Sequence, residues 1–435
     1  GKKVLVSFGN GNRKISGYVI GISDTPKLSP EKIKPVLEVV TQGIEIESHL
    51  IALAGWIAKN YGSTVNQALK TVLLVKEKAS AKEKKYIRLL ISKEEGQTYL
   101  EEFTRKHYLA KARLIEALLE NQVLEYKEAM DTLKLSSSVI KGMEEKKLIA
   151  VERERLYRTP VPKDAQRGYE YQLSKEQKEV VSEIFKEWQQ EQPRPCLIKG
   201  VTGSGKTQVY MELIEAVLKQ GKQVIVLIPE IALTYQNVVR FYSRFGSCVS
   251  VINSRLSLGE RFDQFERAKK GEISVVIGPR SALFTPFPNL GLIIIDEEHE
   301  DSYKSEKTPC YHARETAVQR GKMENARVVM GSASPSVDSY YRGKAGEYQL
   351  LYLNERYGGK ELPKVKIVDL KEELKAGNRS IFSHVLTEKL EDRLQKKEQS
   401  ILFLNRRGYT GFVSCRSCGY VVKCPHCDVS LTAHR

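Results

Sequence analysis

The rhythm of apolar and polar residues changes several times along the chain, and each change marks a unit. Residues 4–8 and 15–20 are apolar or alternating and flank Gly9-Asn10-Gly11-Asn12, a hairpin pattern. Residues 36–40 read as another strand and 48–60 as a helix, so 1–75 is expected to be a β-rich, barrel-like module with a helix. Residues 71–100 are rich in lysine and only partly apolar, and 76–107 reads as a linker with a connecting strand. Helical spacing returns at 112–119, at 127–133 and, behind a serine cap, at 136–144, while 148–155 reads as a short hairpin. Three helices and a hairpin predict a winged helix over 108–158. Lys141, Lys146 and Lys147 are interspersed with Glu144 and Glu145, which leaves both DNA contact and a protein-docking or spacer role open. A polar, proline-containing linker follows at 159–170.

From residue 171 onward, strand and helix alternate. Ser174 caps a helix that reaches Trp188, and short apolar strands are expected at 196–198, 223–228, 274–277, 292–295 and 327–330. Each strand runs into a small or polar loop, the mark of a doubly wound parallel sheet, placed here over 171–345. A second sheet is expected to begin at 365–368 and continue at 400–404, making 346–412 the start of another lobe and 413–435 a partial metal-binding region.

Two stretches carry chemistry. Residues 200–207, GVTGSGKT, fit the phosphate-loop pattern and lie between a strand and a helix. Glycines let the backbone wrap with its N–H groups inward, and the helix N-terminus adds a positive dipole end. Gly203, Ser204, Gly205, Lys206 and Thr207 are therefore candidate nucleotide contacts, with Lys206 on the β- and γ-phosphates and the Thr207 hydroxyl on Mg²⁺. Residues 292–299, LIIIDEEH, put carboxylates at the end of a buried strand, where open α/β sheets bind ligands. Asp296 is expected to hold Mg²⁺ through water, and Glu297 to polarise the attacking water. Gln177, just upstream of the loop, is a candidate for pairing with adenine. Together these motifs point to ATP hydrolysis and leave open what it drives.

At 435 residues the chain exceeds one ordinary core, and its net charge of +16 favours a polyanion such as nucleic acid as partner. No apolar run approaches a spanning helix and no signal peptide is visible. Of seven cysteines, Cys196, Cys248 and Cys310 are scattered, whereas Cys415, Cys418, Cys424 and Cys427 form two C-x-x-C pairs suited to zinc. The short gap between the pairs allows either one shared ion or two sites completed by residues elsewhere. The first residue is not Met, and the chain is expected to be a piece of a longer one.

The set GVTGSGKT (200–207), PEIALT (229–234), GPRSALF (278–284), DEEH (296–299), GSASPS (331–336) and LFLNRRGY (402–409), followed by paired cysteines, resembles a superfamily-two helicase. More narrowly, the whole chain resembles the PriA family of bacterial replication-restart helicases. Ser334 stands where that family commonly has Thr, with the hydroxyl kept. The resemblance implies a multidomain α/β protein: a β-rich module binding the DNA 3′ end, a winged helix, a RecA-like first lobe and the start of a second lobe with cysteine knuckles. It implies a DNA-dependent ATPase moving 3′ to 5′ with ATP, Mg²⁺ and Zn²⁺. Its partners would be single-stranded and forked DNA, primosome proteins and single-strand-binding protein, acting as a monomer in the bacterial cytoplasm. Gly9 and Lys34 match the family's 3′-end pocket, and Arg280 lies in the matching GPRSALF loop. Residues 301–314, with Tyr303, Tyr311, His312 and Arg314, resemble its aromatic-rich loop, in which aromatics stack on bases while neighbouring His299 senses the nucleotide site. The family's aromatic–acid pair falls outside this chain, which leaves recognition of the 3′-terminal base open for it; the second-lobe arginines also fall outside, so the piece by itself is expected to bind nucleotide weakly and not to unwind DNA. Two other readings remain: a fork-binding scaffold in which ATP hydrolysis is dispensable, and a restriction-type translocase, which the paired cysteines disfavour.

Overall fold

The computed structural model describes the chain except residues 10–12, 26–27, 30–31, 41–44, 74, 76–81, 157–171, 255, 357–362, 404–414, 416–417, 419, 428 and 430–435. The expected linker at 159–170 and the NRRGY part of the last motif lie outside the described residues. The chain divides into two compact units, Gly1–Lys360 and Glu361–Arg435.

In the first unit, β1 (Lys3–Phe8), β2 (Arg13–Tyr18) and β3 (Val36–Val39) form an antiparallel sheet in the order β2-β1-β3. Helix α1 (Ser48–Asn60) follows as expected, and α2 (Val65–Val72) is an addition, started by a Thr64–Gln67 capping box. Leu50, Leu53, Ala54, Ile57 and Leu69 pack in one cluster with Phe284 and Tyr311 of the parallel-sheet domain. The β-rich module thus shares a core with the domain downstream. Lys269 and Glu47, 2.6 Å apart, clamp the same contact.

The stretch read as a linker is structured. It holds β4 (Lys82–Leu89) and α3 (Lys93–Arg105), and it leads into α4 (Leu109–Glu120), β5 (Val123–Glu125), α5 (Tyr126–Thr132), α6 (Ser137–Glu145) and β6 (Ile149–Leu156). Residues 148–155 supply no hairpin of their own; β6 pairs antiparallel with β4, giving a sheet of order β5-β4-β6. Ile87 of β4 and Phe103 of α3 are buried with Leu114, Ile115, Ile140 and Met143. The expected connecting strand is β4, and its lysines hid its place in a sheet, because its charged face is matched across that sheet: Lys84 lies 2.9 Å from Glu125 and Arg88 2.8 Å from Glu152.

The third domain contains α7 (Lys175–Trp188), β7 (Cys196–Gly200), α8 (Lys206–Lys219), β8 (Gln223–Leu227), α9 (Tyr235–Phe245), β9 (Val249–Val251), α10 (Leu258–Lys269), β10 (Val275–Gly278), β11 (Leu290–Asp296), α11 (Ala313–Glu324), β12 (Arg327–Ser332), α12 (Val337–Lys344) and β13 (Gln349–Leu353). Its seven strands are all parallel, in the order β13-β7-β12-β11-β8-β10-β9. The expected strands all form, with apolar clusters on both faces. The boundary drawn at 345 is too early, because β13 completes this sheet beside β7.

The second unit contains α13 (Leu370–Lys375) and α14 (His384–Gln395). The strands expected at 365–368 and 400–404 do not form among the described residues. Ile367, Ile401 and Phe403 are 92%, 95% and 85% exposed, and no neighbouring strand among the described residues takes up their backbone groups. No helix among the described residues is long and apolar enough to cross a membrane.

Arg320 is a test of the shared core. It is fully buried, donating to the carbonyls of Leu283 and Thr285 (3.0 Å for the latter) and to Glu324 at 2.6 Å. Arg320→Met strands these acceptors and is expected to cost about 3 kcal/mol. Urea unfolding followed by fluorescence of Trp56 and Trp188 measures this, and an unchanged midpoint would contradict it.

Candidate nucleotide site and its coupling network

The site lies at the C-terminal edge of the parallel sheet. Strand β7 ends at Gly200, and the loop turns through Gly203 (φ +83°) and Gly205 (φ +79°) into α8. Gly205 caps α8 in the left-handed region, which a side chain would resist. Lys206 and Thr207 open the helix; the largely buried Lys206 ammonium donates to the Gly200 carbonyl at 2.9 Å and lies 3.9 Å from Glu297 Oε1. The Ser204 hydroxyl is buried with no hydrogen-bond partner. A bent loop carrying a lysine and an unsatisfied hydroxyl fits a phosphate group.

Asp296 ends β11, on the next strand but one, so its carboxylate comes to the same edge. Burial, and then the neighbouring Glu297 charge, pushes Asp296 up from 3.8 to about 6. The Tyr210 hydroxyl donates to Asp296 Oδ1 at 3.0 Å. That approach passes over Gly331, where an added Cβ would lie 1.8 Å from the Tyr210 oxygen. Burial and the Asp296 charge in turn raise Tyr210 well above the ordinary phenol range. Sequence reasoning missed Tyr210, although it stands four residues after Lys206 and so shares its helix face. Glu297 holds a positive φ of 46°, a strained backbone for a non-glycine residue at a ligand edge.

Behind these groups lies a buried hub that was also missed. Glu298 is fully buried and accepts from Arg314 Nη1 (2.8 Å), the Ser336 amide (2.7 Å), the Ser336 hydroxyl (3.1 Å) and the Ser339 hydroxyl (2.8 Å). His299 Nδ1 lies 2.7 Å from the Ser332 hydroxyl and 3.6 Å from Glu297. The DEEH residues, the start of α11 and the GSASPS loop are therefore one bonded network. Arg280 donates to the carbonyls of Ser302 (2.9 Å) and Lys304, tying the GPRSALF loop to the aromatic-rich loop.

Three expectations are corrected. Tyr303 is buried, its hydroxyl 2.6 Å from the Asp296 carbonyl and 3.0 Å from that of Leu227. Tyr311 is buried edge-on to Phe284, with ring centroids 5.3 Å apart. In this conformation neither ring is presented to a base. Gln177, 1% exposed, accepts from the Ser174 amide at 2.9 Å and donates to the Ser204 carbonyl at 2.8 Å. Its amide completes a helix cap and braces the phosphate loop rather than facing adenine. Gly9 and Lys34 do come together, with Lys34 Nζ 2.5 Å from the Gly9 carbonyl. The four C-terminal thiols do not converge: among the described residues no group of three or more metal-binding side chains is gathered.

A parallel sheet with a lysine-bearing phosphate loop after one strand and acids ending another defines the first lobe of a helicase-type nucleotide-binding protein. Residues 170–335 match the family described as type III restriction enzyme, res subunit, and residues 1–74 match the 3′ DNA-binding domain family. The chain is 37% identical to Replication restart protein PriA of Bacillus subtilis (strain 168), over all of this chain and 62% of that protein. It is 35% identical to the PriA of Chlamydia pneumoniae, over all of this chain and 58% of that one. The chain is thus similar over its whole length to the Replication restart protein PriA of these bacteria, and it spans about three fifths of those relatives' length. A solved structure described as RecG bound to a three-way DNA junction is similar at 22% identity and TM-score 0.33, over 48% of this chain and 29% of that one.

The proton on Asp296 is held more tightly in the fold than in the unfolded chain, so its contribution to stability is present below the unfolded value of 3.8 and is lost as pH rises through about 6. Asp296→Asn is therefore expected to stabilise the Mg²⁺-free protein at pH 7.5 by roughly 2 kcal/mol. Denaturant titrations at pH 5 and 7.5 measure this; equal gains at both, or a loss at the higher pH, would contradict it.

Proposed function

We propose that the intact protein is an ATP-dependent 3′-to-5′ DNA helicase or translocase that recognises stalled forks and D-loops and starts primosome assembly. The observation that carries this reading is the meeting of Lys206 with Asp296 and Glu297 at one sheet edge, backed by the Glu298 hub. Lys206 and the loop amides hold the β- and γ-phosphates. Thr207 and Asp296 hold Mg²⁺, which neutralises phosphate charge when bound, and Glu297 orients the attacking water. The Glu298–Arg314–Ser336 network passes the change at the γ-phosphate to the loops that grip DNA, with His299 on Ser332 as a second link. The basic charge of +16 and the family's 3′ DNA-binding domain support DNA as partner, with Gly9 and Lys34 facing the strand end. Primosome proteins and single-strand-binding protein are proposed partners on the family relationship.

Zinc is proposed on the two cysteine pairs. The amide of Cys415 donates to the Tyr420 carbonyl at 2.7 Å, and that of Cys424 to the Val429 carbonyl at 2.8 Å, so the two pairs share an equivalent backbone hydrogen bond. The backbone N–H groups of His426 and Cys427 pull the Cys424 thiol down toward the thiolate that binds metal. With no third donor beside them among the described residues, each pair is proposed to serve its own ion with partners from elsewhere. Zinc content near two per molecule of full-length protein supports this arrangement, and one per molecule overturns it.

Single-stranded DNA is expected to stimulate ATP hydrolysis by the full-length protein at least tenfold, and Lys206→Ala to remove hydrolysis. Steady-state turnover with and without DNA measures both. Hydrolysis indifferent to DNA sinks the motor reading.

A further inference from the structure

We propose that Arg356 is a nucleotide-binding residue, a second cation that grips the phosphates of a nucleoside triphosphate from the outer rim of the phosphate loop. The proposal rests on the reading of 200–207 as an ATP site and adds a contact from outside every motif. Arg356 Nε donates to the Thr202 carbonyl of that loop at 3.0 Å. It also sits 3.5 Å from where a Cβ on Gly203 would be, so the guanidinium rests on the loop's glycine side.

The position is built. Strand β13 runs parallel to β7, and the Val201 amide donates to the Leu353 carbonyl at 3.0 Å, carrying the ladder into the loop. The next two amides, of Asn354 and Glu355, donate to the Glu176 carboxylate at 2.7 and 3.2 Å. Glu176 lies in the first turn of α7, beside Gln177, which braces Ser204. One helix end therefore holds both the loop and the segment that delivers Arg356, and Glu176 is its positioning residue. A guanidinium matches paired phosphate oxygens with a planar fork that an ammonium lacks. With Lys206 inside the loop and Arg356 on its rim, the phosphates would be approached by cations from two sides.

Full-length protein is titrated at equilibrium with a non-hydrolysable ATP analogue, with ADP and with inorganic phosphate, and its turnover is measured at saturating single-stranded DNA. Arg356→Ala is expected to weaken analogue binding and raise KM for ATP about tenfold, with kcat within about twofold of wild type. Arg356→Lys should recover part of the loss. Glu176→Ala should weaken binding to a similar extent, and the double variant should be no worse than Arg356→Ala alone. Wild-type binding with undiminished affinity in Arg356→Ala overturns the proposal and leaves the ATP site standing. Equal loss for inorganic phosphate and the analogue reduces it to a general anion contact and overturns it. Wild-type protein that binds no analogue removes the ATP reading and this proposal together.

Discussion

A carboxylate with no access to water must be neutralised where it stands, and that constraint organises the nucleotide edge of this protein. Glu298 is fully buried, and its partners come from α11, from the loop after β12 and from α12. Because three separate elements meet its needs, none can shift without stranding a charge. Asp296 two residues earlier is held by a different device, a phenol donated from α8 across a glycine. Two acids of one motif thus do opposite work. One locks the scaffold, while the other keeps a poised, costly charge at the surface of the cleft.

The same logic accounts for an aromatic-rich loop that is not a row of free rings. Tyr303 spends its hydroxyl on the carbonyls that end β8 and β11, so it fixes the spacing of those strands beneath the acids. Tyr311 turns the other way and joins Phe284 under α1. The loop therefore connects the interior of the parallel-sheet domain to the β-rich module, with Arg280 fastening its start. Among the described residues the two regions therefore meet through packed side chains.

Much of this was legible from residue order, and the failures have definite causes. The parallel sheet could be read because its strands are continuous apolar runs that end in glycine, proline or acid, a pattern that little besides a sheet covered on both faces produces. The meeting of Lys206 with Asp296 and Glu297 at one sheet edge followed from motif spacing. Strand β4 was expected only as a connecting strand, and its place in a sheet could not be read, since its charged positions are satisfied by residues some forty to sixty places away in sequence. Gln177 and the two tyrosines were assigned to ligands because their chemistry suits them, but that chemistry is used internally. Glu298 was invisible for the converse reason: an acid in an acidic motif gives no sign that it points inward. The boundary at 345 fell early because an edge strand such as β13 looks the same whether it closes one sheet or opens another.

The core shared by α1, α2, Phe284 and Tyr311 has a practical corollary for anyone dissecting the molecule. Cutting away the first seventy or so residues does not release a self-contained parallel-sheet domain. It uncovers a greasy aromatic scar beside the Arg280 loop, and a fragment prepared that way would be prone to clump, so a loss of activity in it would say little about whether the discarded module touches DNA.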